Sequence, residues 1–471
     1  MNRLFAAALA LFLSGTVSAQ EGGDTPEMQA ALAAGYKAHF TCAALYNGGV
    51  PPLQIDANEL DGIYPDYRDA LAALPQADVD EANGTVSVTY SDAMPPRMSV
   101  FREGAGCVQL PIGAKADLVS AIPGVDRLSD IPPLDDSEII GTPENAIADF
   151  DAKTIAEETI EAAFDGATFG EGTRTSGVIV VRDGHILAES YARGMTAERA
   201  QRTWSVAKSL SATVIGAAVQ EGRLGVDTPV LLDAWSTPGD PRAEILLDDF
   251  LRMASGLDSG VRGSRTDRVY FGGAATADIA LGKSLEAAPG TRFKYSNNDT
   301  LIALRALRET FDETAEYLNY PYEAVLTKIG AMRTVMETDW RGDVLGSSQV
   351  WASARDLARI GQLYAQDGVW DGERLLPEGW VRYVSSPDGP QPERGAFGYG
   401  AQFWLIGGLD GLPDDSFLAA GHRGQYIVIV PSEKFVLVRR GYDESSGKTF
   451  EITAFAASVL SALKALEDEN Y

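Results

Sequence analysis

Thr203-Trp204-Ser205-Val206-Ala207-Lys208 opens a run in which Lys208 is the only charged side chain between Arg202 and Glu221. The rest is small or apolar, with Leu210, Ala212, Val214, Ile215, Gly216, Ala217, Ala218 and Val219. A segment apolar on nearly every face predicts a helix inside a large domain. A lysine there is costly as an ammonium and is more easily kept neutral. Ser205 lies one turn upstream on the same helix face. A serine at a helix start beside a desolvated lysine is a candidate activated nucleophile, because the amine can accept its proton. The structural alternative is that Ser205 only caps the helix and Lys208 snorkels to the surface. The bare Ser-x-x-Lys pattern also recurs at Ser445/Lys448 and Ser461/Lys464, so partners must be sought elsewhere in the chain.

Residues 1–19 carry one basic residue, Arg3, an apolar run Leu4 to Leu13, and Val17-Ser18-Ala19 before Gln20. This predicts a secretory signal peptide, too short to span a bilayer, and hence a periplasmic or secreted protein without a membrane anchor. The formal net charge of −28 argues against nucleic-acid or anionic-lipid partners. Three histidines and two cysteines are too few to favour a metal site, and no cofactor motif is found. In an exported chain Cys42 and Cys107 are expected to form a disulfide, two buried thiols being the alternative.

Residues 20–145 are expected to form a small α+β N-terminal domain: a helix over Gln29 to Tyr46, strands around 85–90 and 98–102, a third at 107–110, then a proline- and acid-rich linker over 131–143. Residues 146–471 are expected to form a second domain. It opens with a helix over 154–164 and a hairpin turning at Asp183-Gly184. It closes with strands over 425–430 and 435–440 and a helix over 448–466. Between lie a helix over 248–256, another over 300–307, and a capped one from Ser353. Strands at both ends with helical sequence between predict an α/β fold: one antiparallel sheet flanked by helices, with an inserted helical region.

Two further motifs follow Ser205. Tyr295-Ser296-Asn297 lies on a turn after Pro289-Gly290, where a phenol whose pKa is lowered by nearby cations could relay a proton and an amide could hold a carbonyl. A second Tyr-x-Asn, Tyr317/Asn319, is assigned a structural role. Gly421-His422-Arg423-Gly424-Gln425 leads into a strand, its glycines allowing close backbone approach. In order, spacing and local structure, Ser205/Lys208, Tyr295/Asn297 and His422/Gly424 resemble the three motifs of the β-lactamase and penicillin-recognising serine hydrolases. Tyr-x-Asn is the class C and esterase form. Gly-Gln-Tyr after the third motif is most similar to the 6-aminohexanoate-dimer hydrolase branch. The resemblance covers about residues 150–466.

The resemblance implies acyl transfer to a small-molecule amide or ester. Ser205 would attack, with Lys208 and Tyr295 moving protons, the N–H groups of Ser205 and Gln425 forming the oxyanion hole, and Asn297, His422, Arg423 and Gly424 binding substrate. The third motif departs from the pattern, with His422 where lysine is common; Arg423 is expected to replace the charge that meets a substrate carboxylate. The alternatives are a β-lactamase or D-amino-acid peptidase, and an inactive module that binds peptide or glycan. A phosphate-binding loop at Ser446-Gly447-Lys448-Thr449 fails because Gly441 is misplaced by one residue. A Gly-x-Ser-x-Gly elbow is absent from the sequence. Oligomeric state is not readable from these features.

Overall fold

The computed structural model describes residues 25–61, 64–125, 140, 150–260 and 266–469. The expected signal peptide and nearly all of the expected linker lie outside them. Helix α1 (Pro26–Tyr46) starts behind Thr25, whose Oγ1 accepts the Met28 N–H. It packs on an antiparallel sheet of β1 (Asp78–Asp80), β2 (Thr85–Val88), β3 (Arg97–Arg102) and β4 (Gly106–Gln109), in that order. A disulfide joins Cys42 on α1 to Cys107 on β4.

The larger part contains helix α2 (Phe150–Glu161), strands β5 (Thr175–Arg182) and β6 (His185–Tyr191), and helices α3 (Val206–Gln220), α4 (Asn297–Arg308) and α5 (Ala354–Ala365). Strands β7 (Gly398–Tyr399), β8 (Trp404–Leu405), β9 (Phe417–Gly421), β10 (Gln425–Val430) and β11 (Phe435–Gly441) follow, then helix α6 (Ile452–Glu469). The seven strands form one antiparallel sheet in the order β7-β8-β9-β10-β11-β5-β6. The first and last parts of this region therefore meet in the sheet, where β11 pairs with β5.

Both faces of the sheet are covered, which explains why Val178–Val181, Ile427–Val430 and Phe435–Val438 are apolar at successive positions. Val178, Val180, Val428 and Leu437 face a cluster that includes Ala156 of α2 and Phe455 and Val459 of α6. Ile179, Val181, Ile427 and Val438 face the opposite cluster with Leu210 of α3, Ile302 of α4 and Leu357 of α5. A short three-stranded sheet pairs Gln201–Arg202, just before α3, with Val350–Ala352, just before α5.

The N-terminal region shares a core with the larger part. Tyr36 and Phe40 of α1 lie in one cluster with Trp204, Tyr270, Phe271 and Trp351. Glu337 accepts hydrogen bonds from Asn47 Nδ2 at 2.7 Å and from the Cys107 N–H at 3.2 Å, and pairs with His39 Nε2 at 3.1 Å. Arg97 Nη2 donates to the carbonyls of Leu110 at 2.8 Å and Phe271 at 2.9 Å. A buried guanidinium answered by carbonyls from both regions makes their separation costly.

Candidate active site

Ser205 occupies the N-cap position of α3, but its side chain makes no capping bond. It meets Lys208 Nζ at 3.2 Å instead. Lys208 is 1% exposed, which removes the snorkelling alternative. Its ammonium also donates to Asn297 Oδ1 at 2.6 Å and to the Ser347 carbonyl at 2.7 Å. All three acceptors are uncharged, so nothing offsets desolvation, and burial lowers the Lys208 pKa to about 7. An amine poised there can take a proton from Ser205 near neutral pH.

The nucleophile turn is set by Trp204, which has a φ of 51°. A bulky residue in the left-handed region costs on the order of 1–3 kcal/mol and persists only where packing holds it. Here the Arg202 guanidinium lies 3.6 Å from the indole centroid, and Phe40 of α1 stacks at 6.3 Å. The strand pairing before it, with Thr203 N–H donating to Val350 O at 2.8 Å, anchors the turn.

Tyr295 is placed by an interrupted helix. The helix expected over 248–256 stops after Leu251, and Met253 turns the chain with a φ of 58°. Its carbonyl accepts the Lys294 N–H at 2.8 Å and its sulfur the Ser296 N–H at 3.3 Å, pinning the residues on either side of Tyr295. The Tyr295 ring stacks on Trp404 at 5.4 Å, and Lys208 Nζ sits 5.0 Å from its centroid. The expectation that cations lower its pKa is corrected: burial pushes the phenol up to about 12, against a hydrogen bond with Ser205 that pulls it down. Tyr295 is thus a protonated donor at neutral pH. Asn297, the first residue of α4, binds Lys208 beside it.

The third motif is divided by the sheet. Ala420, Gly421 and His422 line the cleft. A Cβ on Gly421 would overlap the Thr203 carbonyl and lie 3.2 Å from the Ser205 nitrogen, so only glycine lets this strand end reach the nucleophile. Three expectations at this motif are corrected. Gln425 is fully buried, and β10 is an interior strand with β9 on one side and β11 on the other, so its N–H has a ladder neighbour instead of the cleft. Arg423 is buried, donating to the carbonyls of Asp443 at 2.9 Å, Tyr442 at 3.2 Å and Asn58. It offers no charge to a substrate. Gly424, with φ +78°, is packed against Arg439 and Asp443, where a Cβ would overlap the guanidinium.

Ser205, Tyr295, Asn297 and His422 come together in a cleft of about 450 Å³ that also has Tyr64, Trp204, Tyr270, Ser348, Phe397, Trp404 and Tyr426 in its walls. Tyr270 hydrogen-bonds the Ser347 hydroxyl, next to the carbonyl that holds Lys208. Trp204 sat beside the serine in the quoted stretch; Tyr64, Tyr270 and Trp404 carried no motif. Cys42 and Cys107 lie away from the cleft, in the N-terminal region.

A serine beside a neutral-leaning lysine and a protonated tyrosine, at the end of a helix-covered antiparallel sheet, defines a β-lactamase-like serine hydrolase. The β-lactamase family model matches residues 157–440, more than half of the chain, and the chain belongs to that family. It is 30% identical over 295 residues to the 6-aminohexanoate-dimer hydrolase of Paenarthrobacter ureafaciens, covering 57% of this chain and 73% of that protein. Its fold is similar to that of a provisionally assigned 6-aminohexanoate-dimer hydrolase from Bacillus anthracis (TM-score 0.54, 20% identity, 66% of this chain and 82% of that one). It is also similar in fold to a family VIII carboxylesterase (TM-score 0.52, 15% identity, 68% and 99%). The protein is a hydrolase of amide or ester bonds. Among the described residues no helix is long and apolar enough to cross a membrane.

Proposed function

We propose that the chain is an exported hydrolase that cleaves a linear amide or an ester through an acyl-enzyme on Ser205. The observation that carries this is the pair of contacts at Ser205: Lys208 Nζ at 3.2 Å, its pKa lowered to about 7, and the Tyr295 phenol, held protonated. Neutral Lys208 takes the Ser205 proton as Oγ attacks the carbonyl. Tyr295 donates its proton to the departing nitrogen or oxygen and recovers one from the serine by way of Lys208. Water then attacks the acyl-enzyme by the reverse proton path.

The oxyanion sits between the Ser205 N–H and the main chain at the end of β9, which reaches the Ser205 nitrogen at Gly421. The Ile406 N–H donates to Ser416 O, which puts even-numbered residues of this strand on the β8 side. Strand β8 pairs with β9 as far as Leu418, and His422, just past the end of β9, lines the cleft beside Ser205, so its N–H is the second donor of this reading. A donor there is typically worth about 3–4 kcal/mol in the transition state. Asn297 orients the substrate carbonyl or amide and fixes Lys208.

The similarity to the Paenarthrobacter enzyme, a 6-aminohexanoate-dimer hydrolase, favours a linear amide over a β-lactam or a D-amino-acid peptide. Arg423 is tied to main-chain carbonyls and does not replace the missing third-motif lysine. The test is fluorophosphonate labelling with peptide mapping. The label should fall on Ser205 and be absent from Ser205→Ala. An unlabelled wild-type protein that still binds peptide or glycan would establish the inactive-module alternative.

A further inference from the structure

Two features of the cleft are unexplained by acyl transfer itself. The first is its chemistry: among the described residues lining it there is no Asp, Glu, Lys or Arg. The walls are rings, with Tyr64, Trp204, Tyr270, Phe397, Trp404 and Tyr426 around the serine. The second is that one of these rings comes from the N-terminal region, some 140 residues before the nucleophile. Tyr64 lies parallel to His422 (7° between planes, centroids 6.3 Å apart) and edge-on to Trp204 at 6.2 Å. His422 in turn meets Trp204 edge-on at 5.0 Å. The three rings form a corner next to Ser205.

The segment carrying Tyr64 is tied down at both ends. Asn58 receives Arg174 Nη2 on its side-chain oxygen at 3.0 Å and Arg423 on its carbonyl. Tyr67 donates its hydroxyl to Asp267 at 2.8 Å. The Arg423 guanidinium, expected to meet substrate, fastens this wall instead. Tyr64 also contacts Tyr36 and Phe271 of the shared core, so its ring is backed by packing on the side away from the cleft.

We infer that Tyr64 is a specificity-determining residue and that the acyl group the cleft selects is neutral and flat, an aromatic or conjugated ring rather than a carboxylate-bearing chain. This rests on the serine-hydrolase function proposed above and names its substrate class. A flat ring on the Tyr64–His422–Trp204 corner gains offset or edge-on stacking beyond its buried area. A carboxylate entering the same space loses its hydration and meets no Lys or Arg among the described lining residues. The net charge of −28 adds a repulsive field for anionic substrates approaching from solution.

The experiment compares kcat/KM for p-nitrophenyl benzoate, p-nitrophenyl acetate and the p-nitrophenyl half-ester of succinate in the wild type, Tyr64→Ala and Tyr64→Phe. The wild type should favour benzoate over the succinate half-ester by about tenfold or more. Tyr64→Ala should lose about five- to tenfold more on benzoate than on acetate, the scale of an aromatic contact. Tyr64→Phe, which keeps the ring, should restore that difference. Equal losses on both neutral esters, or a preference for the succinate half-ester, overturns the inference. A second measurement separates this from failure of the parent function. Benzanilide is titrated into Ser205→Ala and Ser205→Ala/Tyr64→Ala by tryptophan fluorescence. Weaker binding in the double variant supports the Tyr64 wall even if no ester is turned over; unchanged binding refutes it even if Ser205 is labelled and active.

Discussion

Lys208 and Arg439 are buried to the same degree, at 1% and 0% exposure. Their partners differ in kind. Arg439 is clasped by Asp443, Nη1 to Oδ2 at 2.7 Å and Nη2 to Oδ1 at 2.9 Å, and it also binds Thr175 Oγ1 and the Gly424 carbonyl. Lys208 meets a hydroxyl, an amide oxygen and a carbonyl, none of them charged. A guanidinium paired with a carboxylate stays charged and serves as a fixed tie beneath Gly424. An ammonium with neutral acceptors is left to lose its proton, which is what a base next to a serine requires. Burial alone therefore does not mark a functional cation; burial of a lysine, which can lose its proton, beside a serine and without a counter-charge does.

The contrast is broken most severely at Lys208. Lys208→Met fills similar volume and should lower fluorophosphonate labelling of Ser205 by about 10³-fold or more. In the wild type the labelling rate should rise about tenfold per pH unit below pH 7 and level off above it, because only the neutral amine accepts the proton. Stability carries the same signature. The folded pKa of about 7 lies below the ordinary 10.5, so the folded state binds fewer protons between these values. The cost of burying the ammonium is full below pH 7 and is relieved as pH rises towards 10.5. That contribution should thus grow across pH 7–10.5, by up to about 5 kcal/mol, and be absent from Lys208→Met. Urea unfolding of both proteins at pH 6 and 9 reads the difference; parallel pH dependences would show that Lys208 is charged throughout.

Tyr295→Phe sharpens the comparison by removing a donor without touching either cation. A phenol held near 12 protonates a leaving group but does not act as a phenolate base. Anilides, whose nitrogen leaves only when protonated, should lose about 10²–10⁴ in kcat/KM. Esters of p-nitrophenol, which departs unaided, should lose clearly less. Equal small losses on both would remove Tyr295 from the proton path.

Asp443→Asn tests the other side, with the smallest effect on chemistry expected. It strands Arg439 without a counter-charge and should destabilise the fold by about 3–5 kcal/mol in chemical denaturation. The folded fraction should still label at Ser205 within about threefold of the wild type. A stable variant with lost labelling would mean that the ion pair acts on the cleft and not on the fold.

The residues differ in how far the sequence alone could place them. Val178 to Val181 and Ile427 to Val430 announce strands buried on two faces, because side chains alternate and both sides are apolar. The run from Val206 to Gln220 announces a buried helix, and a lysine in it has no cheap charged state. Ser205 and Lys208 follow from helix spacing, and Tyr295 with Asn297 from a turn followed by a helix start. These are local consequences of periodicity and desolvation.

What tertiary structure decided lies across strands or between distant segments. Whether Gln425 or His422 turns its N–H to the cleft depends on which side of each strand is already paired, and spacing within one strand does not contain that. Arg423 looked available because its carbonyl partners, Asn58, Tyr442 and Asp443, come from elsewhere in the chain. The pKa of Tyr295 was expected to fall because cations were assumed nearby; the lysine beside it is itself poised to be neutral, and burial wins. Tyr64 belongs to a region that shows no catalytic motif, and it enters the cleft only because α1 and Phe271 pack into one core. Local sequence encodes which groups resist burial, whereas the long-range packing of the chain determines which groups they meet.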